Sequence, residues 1–254
     1  VPAQSEMTYA RKLRISPTHL MKTPSEQELL AAAAHIGHRS FKWNPKIKPY
    51  LYGTEKGVHI FNLTKTKEQL AETCQHIVEL SKAGKSILFV STKQHSTGFL
   101  EELGKETTQP IVTKKWIPGL LTNWKTISRR IKYYLDLQQS FQTGEVEKYT
   151  KKEQLQLRKK LAKLDHALSG VSGMTGLADA LFVVDAVRDV IAVREARTCG
   201  IPVYGICDSN ADPDYFTVAI PANDDAVNSV KLILKTVQNA LVDSGSAPVK
   251  KDKQ

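Results

Sequence analysis

Apolar and polar residues follow two alternating patterns along this chain, and together they predict a domain of interleaved strands and helices. Short apolar runs bounded by turn residues, typical of buried strands, lie at 58–61, 86–90, 111–112, 180–186, 202–206 and 216–220. Helical spacing or helix-ending residues predict helices at 65–83, 94–104, 192–198 and 225–242. This alternation indicates right-handed crossovers and a mainly parallel α/β sheet with helices on both faces.

An additional helix is predicted near the start of the chain. Thr23 is a suitable cap, Pro24 suits the first helical position, and Glu26 lies three residues after the cap. The helix is expected to continue towards Gly37. The preceding residues, 1–22, are expected to form an irregular N-terminal arm.

The segment 127–168 has no strand signal and predicts an inserted helical hairpin with coiled-coil character. Its apolar residues recur at spacings of three, four and seven: Ile127, Ile131, Tyr134, Phe141, Leu157, Leu161, Leu164 and Leu168. The hairpin is expected to bury this stripe mainly against itself; two ordinary helices lying on the sheet are the alternative. The α/β domain would then comprise 23–126 and 169–243, followed by a disordered tail at 244–254.

The positive charge of the chain is concentrated in two segments without Asp or Glu. The chain has 254 residues and a net charge of +10, which favours a nucleic acid or an anionic membrane as partner. The first basic segment is 35–54, predicted to be a stiff, extended loop because of Pro45 and Pro49. The second basic segment is 107–135.

Cations alternate with aromatic residues in both basic segments, a composition that suits a phosphate backbone with unstacked bases nearby. The alternative is a solvated positive face beside core aromatics. The candidate contacts are Arg39, Lys42, Trp43, Lys46, Lys48, Lys114, Lys115, Trp116, Trp124, Lys125, Arg129, Arg130 and Lys132.

Three apparent cofactor motifs are not supported by their context. Gly84-Lys85-Ser86 precedes a predicted strand, whereas a phosphate-binding P-loop follows one. The glycines at 170, 173 and 176 follow a helix and are expected to form a flexible joint between hairpin and sheet. His35 and His38 would supply only half of a zinc site. No cofactor and no metal are predicted.

Several carboxylates lie near the carboxyl ends of predicted strands, where open α/β sheets bind ligands. These residues are Asp185, Asp189, Asp208, Asp212 and Asp214. They could hold a magnesium ion or form an acid/base pair. Equally, Asp residues in such loops form turns and cap helices.

Seven motifs follow one another across residues 28–242: HIGHRSFKWNPKIKPYLYGTEKGVHIFNLTKT, ILFVSTK, KKWIPGLLTNWKT, YTKKEQ, GLADALFVVDA, GIPVYGICDSNADPD and IPANDDA. In sequence and in order they resemble the universal S2 family of small-subunit ribosomal proteins, in its bacterial and organelle form. The resemblance implies a flavodoxin-like fold with an inserted coiled-coil hairpin. It also implies RNA-facing positions in WNPKIKP and TNWKT, which adds Asn44 and Asn123 to the candidate contacts.

The resemblance implies a non-catalytic role in binding small-subunit rRNA near the head–body junction, beside neighbouring ribosomal proteins. In bacteria the family also helps to dock a large mRNA-binding ribosomal protein. The N-terminal arm and the basic composition favour a mitochondrial location over a bacterial or plastid one.

The rival hypothesis is a nucleotide-binding enzyme on the same fold. Such an enzyme would need a glycine-rich loop after the first strand, but Asn62-Leu63-Thr64-Lys65 lacks glycine. No small-molecule substrate or membrane span is predicted.

Overall fold

The fold is an α/β arrangement of two sheets, and the computed structural model describes residues 23–245. The strands of the larger sheet are β4 (Ile87–Val90), β5 (Ile111–Val112), β6 (Ala180–Val183), β7 (Val203–Cys207) and β8 (Val218–Pro221). They are all parallel, in the order β5-β4-β6-β7-β8. This order is flavodoxin-like, as predicted. The predicted arm at 1–22, and the predicted tail from residue 246 onwards, lie outside the described residues.

Each face of the parallel sheet has its own hydrophobic core. In β4, Leu88 and Val90 belong to one core and Ile87 and Phe89 to the other, and all four are fully buried. Such continuous burial is typical of parallel strands covered on both faces. The helices that complete the Ile87 face are α2 (Leu63–Lys82), α3 (Gln94–Thr107) and α7 (Val227–Asp243). On the Leu88 face lies α6 (Val190–Thr198).

The smaller sheet is antiparallel and corrects one prediction. Its strands are β1 (Ile36–Arg39), β2 (Leu51–Glu55) and β3 (Val58–Phe61), in the order β1-β3-β2. Lys56 and Gly57, with φ of 49° and 78°, form the two-residue turn between β2 and β3. Placing 58–61 in the parallel alternation was therefore wrong, because this turn and the alternating burial of β3 are features of a hairpin.

The first helix is shorter than predicted. Helix α1 spans Glu26–Ala31 and is capped by Ser25 instead of Thr23. The Ser25 backbone N–H donates to the Glu28 carboxylate at 2.7 Å, and the Glu28 N–H donates to Ser25 Oγ at 3.2 Å. This reciprocal capping box fixes the start. Ala33 adopts a left-handed φ of 57°, so the chain leaves the helix before Gly37 and enters β1.

The first basic segment is not the stiff, extended loop that was predicted: it consists of β1, two short 3₁₀ helices and most of β2. Its residues Pro45–Tyr50 form a 3₁₀ helix, preceded by a shorter one at Ser40–Lys42. Pro45 occupies the first helical position, where its missing N–H costs nothing, and the Asn44 side chain accepts a hydrogen bond from the Lys46 N–H at 3.1 Å. The prediction from Pro45 and Pro49 overlooked that a 3₁₀ turn tolerates proline near its start.

A helical hairpin is inserted between β5 and β6, where the sequence predicted one. Helix α4 spans Trp124–Gln142 and α5 spans Lys151–Leu168. They touch through the Tyr134 hydroxyl, which donates to Asp165 Oδ1 at 2.6 Å. A capping box between Thr150 and Glu153 starts α5. The coiled-coil geometry of the pair stays a prediction.

The base of the hairpin is part of the domain core, contrary to the expectation that its stripe packs mainly against itself. Ile127, Ile131, Tyr134 and Leu168 are buried in the same cluster as Leu88 of the sheet. The helical periodicity showed which face is apolar but could not show what covers it.

At two glycines the backbone lies too close to a neighbouring strand to leave room for a side chain. A Cβ at Gly170 would lie 2.2 Å from the Ile111 carbonyl oxygen, and one at Gly205 would lie 1.9 Å from that of Val183. Gly170 therefore packs the end of the hairpin against β5 and is not a flexible joint.

Among residues 23–245, no helix has both the length and the apolar character needed to cross a membrane.

Candidate nucleic-acid interface

The first basic segment is fastened to the loop that follows β7. The His38 backbone N–H donates to Ser209 Oγ at 2.7 Å. The Asn44 backbone N–H donates to the Ser209 carbonyl oxygen, also at 2.7 Å. At Gly37 a Cβ would lie 2.9 Å from Ser209 Oγ, so this contact requires a residue without a side chain. Ser209 thus fixes both β1 and the start of the 3₁₀ helix that carries Lys46 and Lys48.

An ion pair strengthens this attachment. His38 Nδ1 lies 3.1 Å from Asp208 Oδ1, and Nε2 lies 3.4 Å from Asp225 Oδ2. The hydrogen bond with Asp208 raises the pKa of His38 above 6.5, although partial burial opposes the change. His38 therefore links β1 to the loops after β7 and β8.

Lys46 is also used within the protein. Its Nζ lies 2.9 Å from Asp212 and 2.5 Å from Asp214. These hydrogen bonds, to Asp214 and Asp212, raise the pKa of Lys46. Because these two carboxylates offset its charge, Lys46 contributes less free positive charge to the surface than its neighbours.

The second basic segment is held by one buried carboxylate on α6. Glu195 accepts hydrogen bonds from Trp116 Nε1 at 3.0 Å and from the Gly119 N–H at 2.8 Å. It also accepts from the Leu121 N–H at 3.1 Å and from the N–H and hydroxyl of Thr122, at 3.2 and 3.1 Å. Burial disfavours the charged form, but these donors outweigh it and lower the pKa of Glu195.

The predicted contacts differ in how far they reach the surface. Eleven are exposed: Arg39, Lys42, Lys46, Lys48, Lys114, Lys115, Asn123, Lys125, Arg129, Arg130 and Lys132. Trp43, Asn44 and Trp124 are partly buried, and Trp116 is only 6% exposed. Trp116 therefore has a core role, with its indole on Glu195, and cannot stack on a base in this conformation.

Two aromatics that were not among the candidate contacts lie exposed within the first basic segment. Phe41 is 73% exposed and Tyr52 is 82% exposed. By contrast, the Trp43 ring already stacks on His59, with centroids 4.8 Å apart. Cations and aromatics in a basic segment do not show by themselves which rings face inward.

The two basic segments share one side of the molecule's core. Ile47 from the first segment and Leu120, Leu121 and Ile127 from the second are buried in the cluster that contains Leu88. Ion pairs are scarce around them: among residues 23–245, Lys46 and Lys93 are the Lys or Arg residues within 4.0 Å of a described carboxylate. Apart from Lys46, the exposed cations of both segments are thus not paired with a carboxylate of the described part of the protein.

The ligand crevice typical of this fold holds a lysine that the sequence analysis missed. Lys93, just after β4, lies 2.9 Å from Asp185, 2.7 Å from Asp224 and 2.7 Å from Asp225. Burial opposes its charge, yet the carboxylates raise its pKa. Burial, with the charges of Asp208 and Asp185, raises the pKa of Asp224 to about 7. The signal for it is in ILFVSTK, where a cation lies three residues after a fully apolar strand.

The other strand-end carboxylates bind local protein groups. Asp185 accepts from the N–H groups of Val187 and Arg188, and Asp189 accepts from Thr92. Asp212 caps the 3₁₀ helix Pro213–Tyr215. Of the alternatives left open by the sequence, these contacts favour turn formation and capping.

The test for a nucleotide loop was applied to the wrong strand. The first strand of the parallel sheet is β4, not Val58–Phe61, and the residues after it are Ser91-Thr92-Lys93. This sequence also lacks the glycines that a phosphate loop needs. Gly84, in turn, has a φ of 71° and follows the end of α2.

Comparison with known proteins identifies the same family over nearly the whole described region. The family model described as Ribosomal protein S2 matches residues 29–244. A similar relative is the Small ribosomal subunit protein uS2 of a Nitratiruptor species. It is 40% identical over 217 residues, which cover 85% of this chain and 81% of the relative.

Proposed function

The chain belongs to the ribosomal protein S2 family, and on that premise we propose that it binds small-subunit rRNA through its two basic segments. The family consists of ribosomal structural proteins, so the rival hypothesis of a nucleotide-binding enzyme is not retained. The contact is proposed near the junction of the head and body of the subunit. There the protein supports assembly and translation.

The observation that supports RNA binding is the set of exposed cations without carboxylate partners. In the second segment, Arg129 and Arg130 are exposed on the first turns of α4, and Lys114 and Lys115 precede the Glu195 contacts. Phosphate groups would neutralise these charges and release counterions, which is the main source of affinity for nucleic acids. The rigid attachment through Glu195 and Ser209 holds the cations in place before RNA arrives, which reduces the entropy lost on binding.

Base contacts are proposed at Phe41 and Tyr52, because unstacked RNA bases commonly lie on exposed aromatic rings. Lys42 Nζ lies 5.8 Å from the centre of the Phe41 ring, so a phosphate and a base of one nucleotide could be bound together. The partly buried Trp43 and Trp124 would support this surface from beneath.

The proposed partners are small-subunit rRNA and the neighbouring proteins of the small subunit. The basic composition supports a mitochondrial ribosome, while the 40% identity to a bacterial protein supports the alternative of a bacterial one. Imaging of the native protein with a mitochondrial marker separates these locations. No small-molecule substrate is proposed.

The test of the proposal is incorporation into small subunits in competition with the wild type. Arg129→Glu with Arg130→Glu reverses two exposed charges, and Lys82→Glu with Lys85→Glu makes the same change at the exposed end of α2 and the turn beyond it. The arginine variant is expected to be depleted from sedimented small subunits, and the lysine control to be retained. Equal incorporation of both variants would refute a role for the second segment.

A further inference from the structure

The outer face of α5 carries a row of lysines that the two basic segments do not include. Helix α5 packs along one stripe, whose members are partly or fully buried: Gln154, Leu157, Leu161, Leu164 and Leu168. At about 100° per residue, the opposite half of the helix contains Lys151, Lys152, Lys159 and Lys163, all exposed. The other exposed residues of this outward half are Leu155, Gln156, Ala162 and His166, and Ala167 at its margin is partly buried.

The two carboxylates of α5 lie outside this half and are already engaged. Glu153 accepts from the Thr150 N–H and hydroxyl, at 2.9 and 2.8 Å. Asp165 accepts from the Tyr134 hydroxyl at 2.6 Å. None of the four outward lysines lies within 4.0 Å of a carboxylate among residues 23–245.

This charge pattern is unfavourable for an isolated helix. Lys159 and Lys163 are like charges at i and i+4, which repel each other. Lys151 and Lys152 lie in the first turn, where the helix dipole disfavours cations. A merely solvated helix typically alternates charges of both signs. A polyanion along the outward half would remove each of these unfavourable interactions.

The partner that fits is a phosphate backbone. The row from Lys151 to Lys163 extends over about 18 Å, at 1.5 Å per residue along a straight helix. Between Lys151 and Lys163 the helix contains no Phe, Tyr, Trp or His, so the lysine row itself offers no ring on which an unstacked base could lie. Double-helical RNA presents its phosphates and keeps its bases paired. We propose that the outward lysines of α5 bind the phosphate backbone of a double-helical rRNA segment, an inference that rests on the proposed function.

The test compares two full-length variants that each lose four positive charges. One is Lys151→Gln, Lys152→Gln, Lys159→Gln and Lys163→Gln, in which glutamine preserves helix propensity. The control is Lys67→Gln, Lys82→Gln, Lys85→Gln and Lys235→Gln, four exposed lysines outside the hairpin. Circular dichroism checks that both fold. Binding to small-subunit rRNA is then measured as a function of salt concentration.

The α5 variant is expected to lower the magnitude of the log–log salt slope by up to about 3.6, because four double-helical phosphates contribute about 0.9 each. The control is expected to keep the wild-type slope. An unchanged slope in the α5 variant, or an equal decrease in both variants, would overturn the inference. Wild-type binding without salt dependence would refute the proposed function itself, a different outcome.

Competitors identify the class of partner. A short RNA duplex is expected to displace rRNA from the wild type more effectively than from the α5 variant. Its separated single strands are expected to show a smaller difference between the two proteins. If the single strands distinguish the wild type from the α5 variant as well as the duplex does, the assignment to double-helical RNA is wrong. If polyglutamate discriminates best, the face binds an acidic protein and the inference fails.

Discussion

The Glu195 carboxylate accepts a hydrogen bond from the Trp116 indole nitrogen at 3.0 Å, and both side chains are buried. This pair joins α6 to the second basic segment. The same carboxylate also accepts from three backbone N–H groups of that segment. A single acid inside the protein therefore orders a loop whose surface is positively charged.

Replacing Glu195 with Gln should destabilise the protein by about 1–3 kcal/mol, because an amide NH₂ cannot accept and leaves buried N–H groups unpaired. The free energy of unfolding in urea measures this loss. The matched control is Glu102→Gln on the exposed side of α3, expected to change stability by less than about 0.5 kcal/mol. Equal stability of the two variants would show that the Glu195 contacts contribute nothing.

His38 should make stability depend on pH near neutrality. Its pKa is raised by Asp208, so its contribution is complete below pH 6.5 and is lost as the pH rises through the folded-state pKa. Asp224 and Asp225 also face His38, and Lys93 lies beside them. The raised pKa of Asp224 acts in the same pH range, so wild type must be compared with His38→Gln at each pH. The stability difference between them should shrink as the pH rises above 6.5 and through the folded-state pKa of His38; a constant difference would contradict the ion pair.

Lys93→Met should cost about 3–5 kcal/mol, because it leaves buried carboxylates without a counterion. Asp185 and Asp224 are both nearly inaccessible to solvent. Lys105→Met, at an exposed position of α3, provides the control. Chemical denaturation measures both, and a loss at Lys93 no larger than at Lys105 would mean that the cluster is not held by charge.

Shortening the hairpin should have different effects at its tip and at its base. Replacing 139–159 by a short Gly/Ser linker should leave a single cooperative thermal transition, because Ile127, Ile131, Tyr134 and Leu168 remain in the core. Replacing 127–168 should lower the melting temperature sharply, since each large buried residue lost costs about 2–5 kcal/mol. If the two shortened variants have equal melting temperatures, the hairpin does not contribute to the core.

The parallel sheet could be predicted because its strands are continuous apolar runs between helical segments. For β6 and β7, every residue is buried, which leaves little ambiguity. The antiparallel sheet was missed because β1 and β2 are half exposed and carry no such run. Only the Lys56-Gly57 turn signals that hairpin locally.

The sequence predicted where the positive charge of the site lies, but not which side chains are buried or which partners they contact. Absence of acids identified both basic segments, and most of their cations are exposed. Trp116 could not be assigned from the sequence, because its partner Glu195 is 79 residues away. The same limitation applies to Lys93, whose partners Asp224 and Asp225 are more than a hundred residues away.

Binding of the full chain to small-subunit rRNA over a range of salt concentrations tests the central claim most directly. Exposed cations without carboxylate partners should neutralise at least four phosphates, so affinity should fall with salt with a log–log slope of at least ~3 in magnitude. An affinity for this rRNA that does not change with salt would contradict the account.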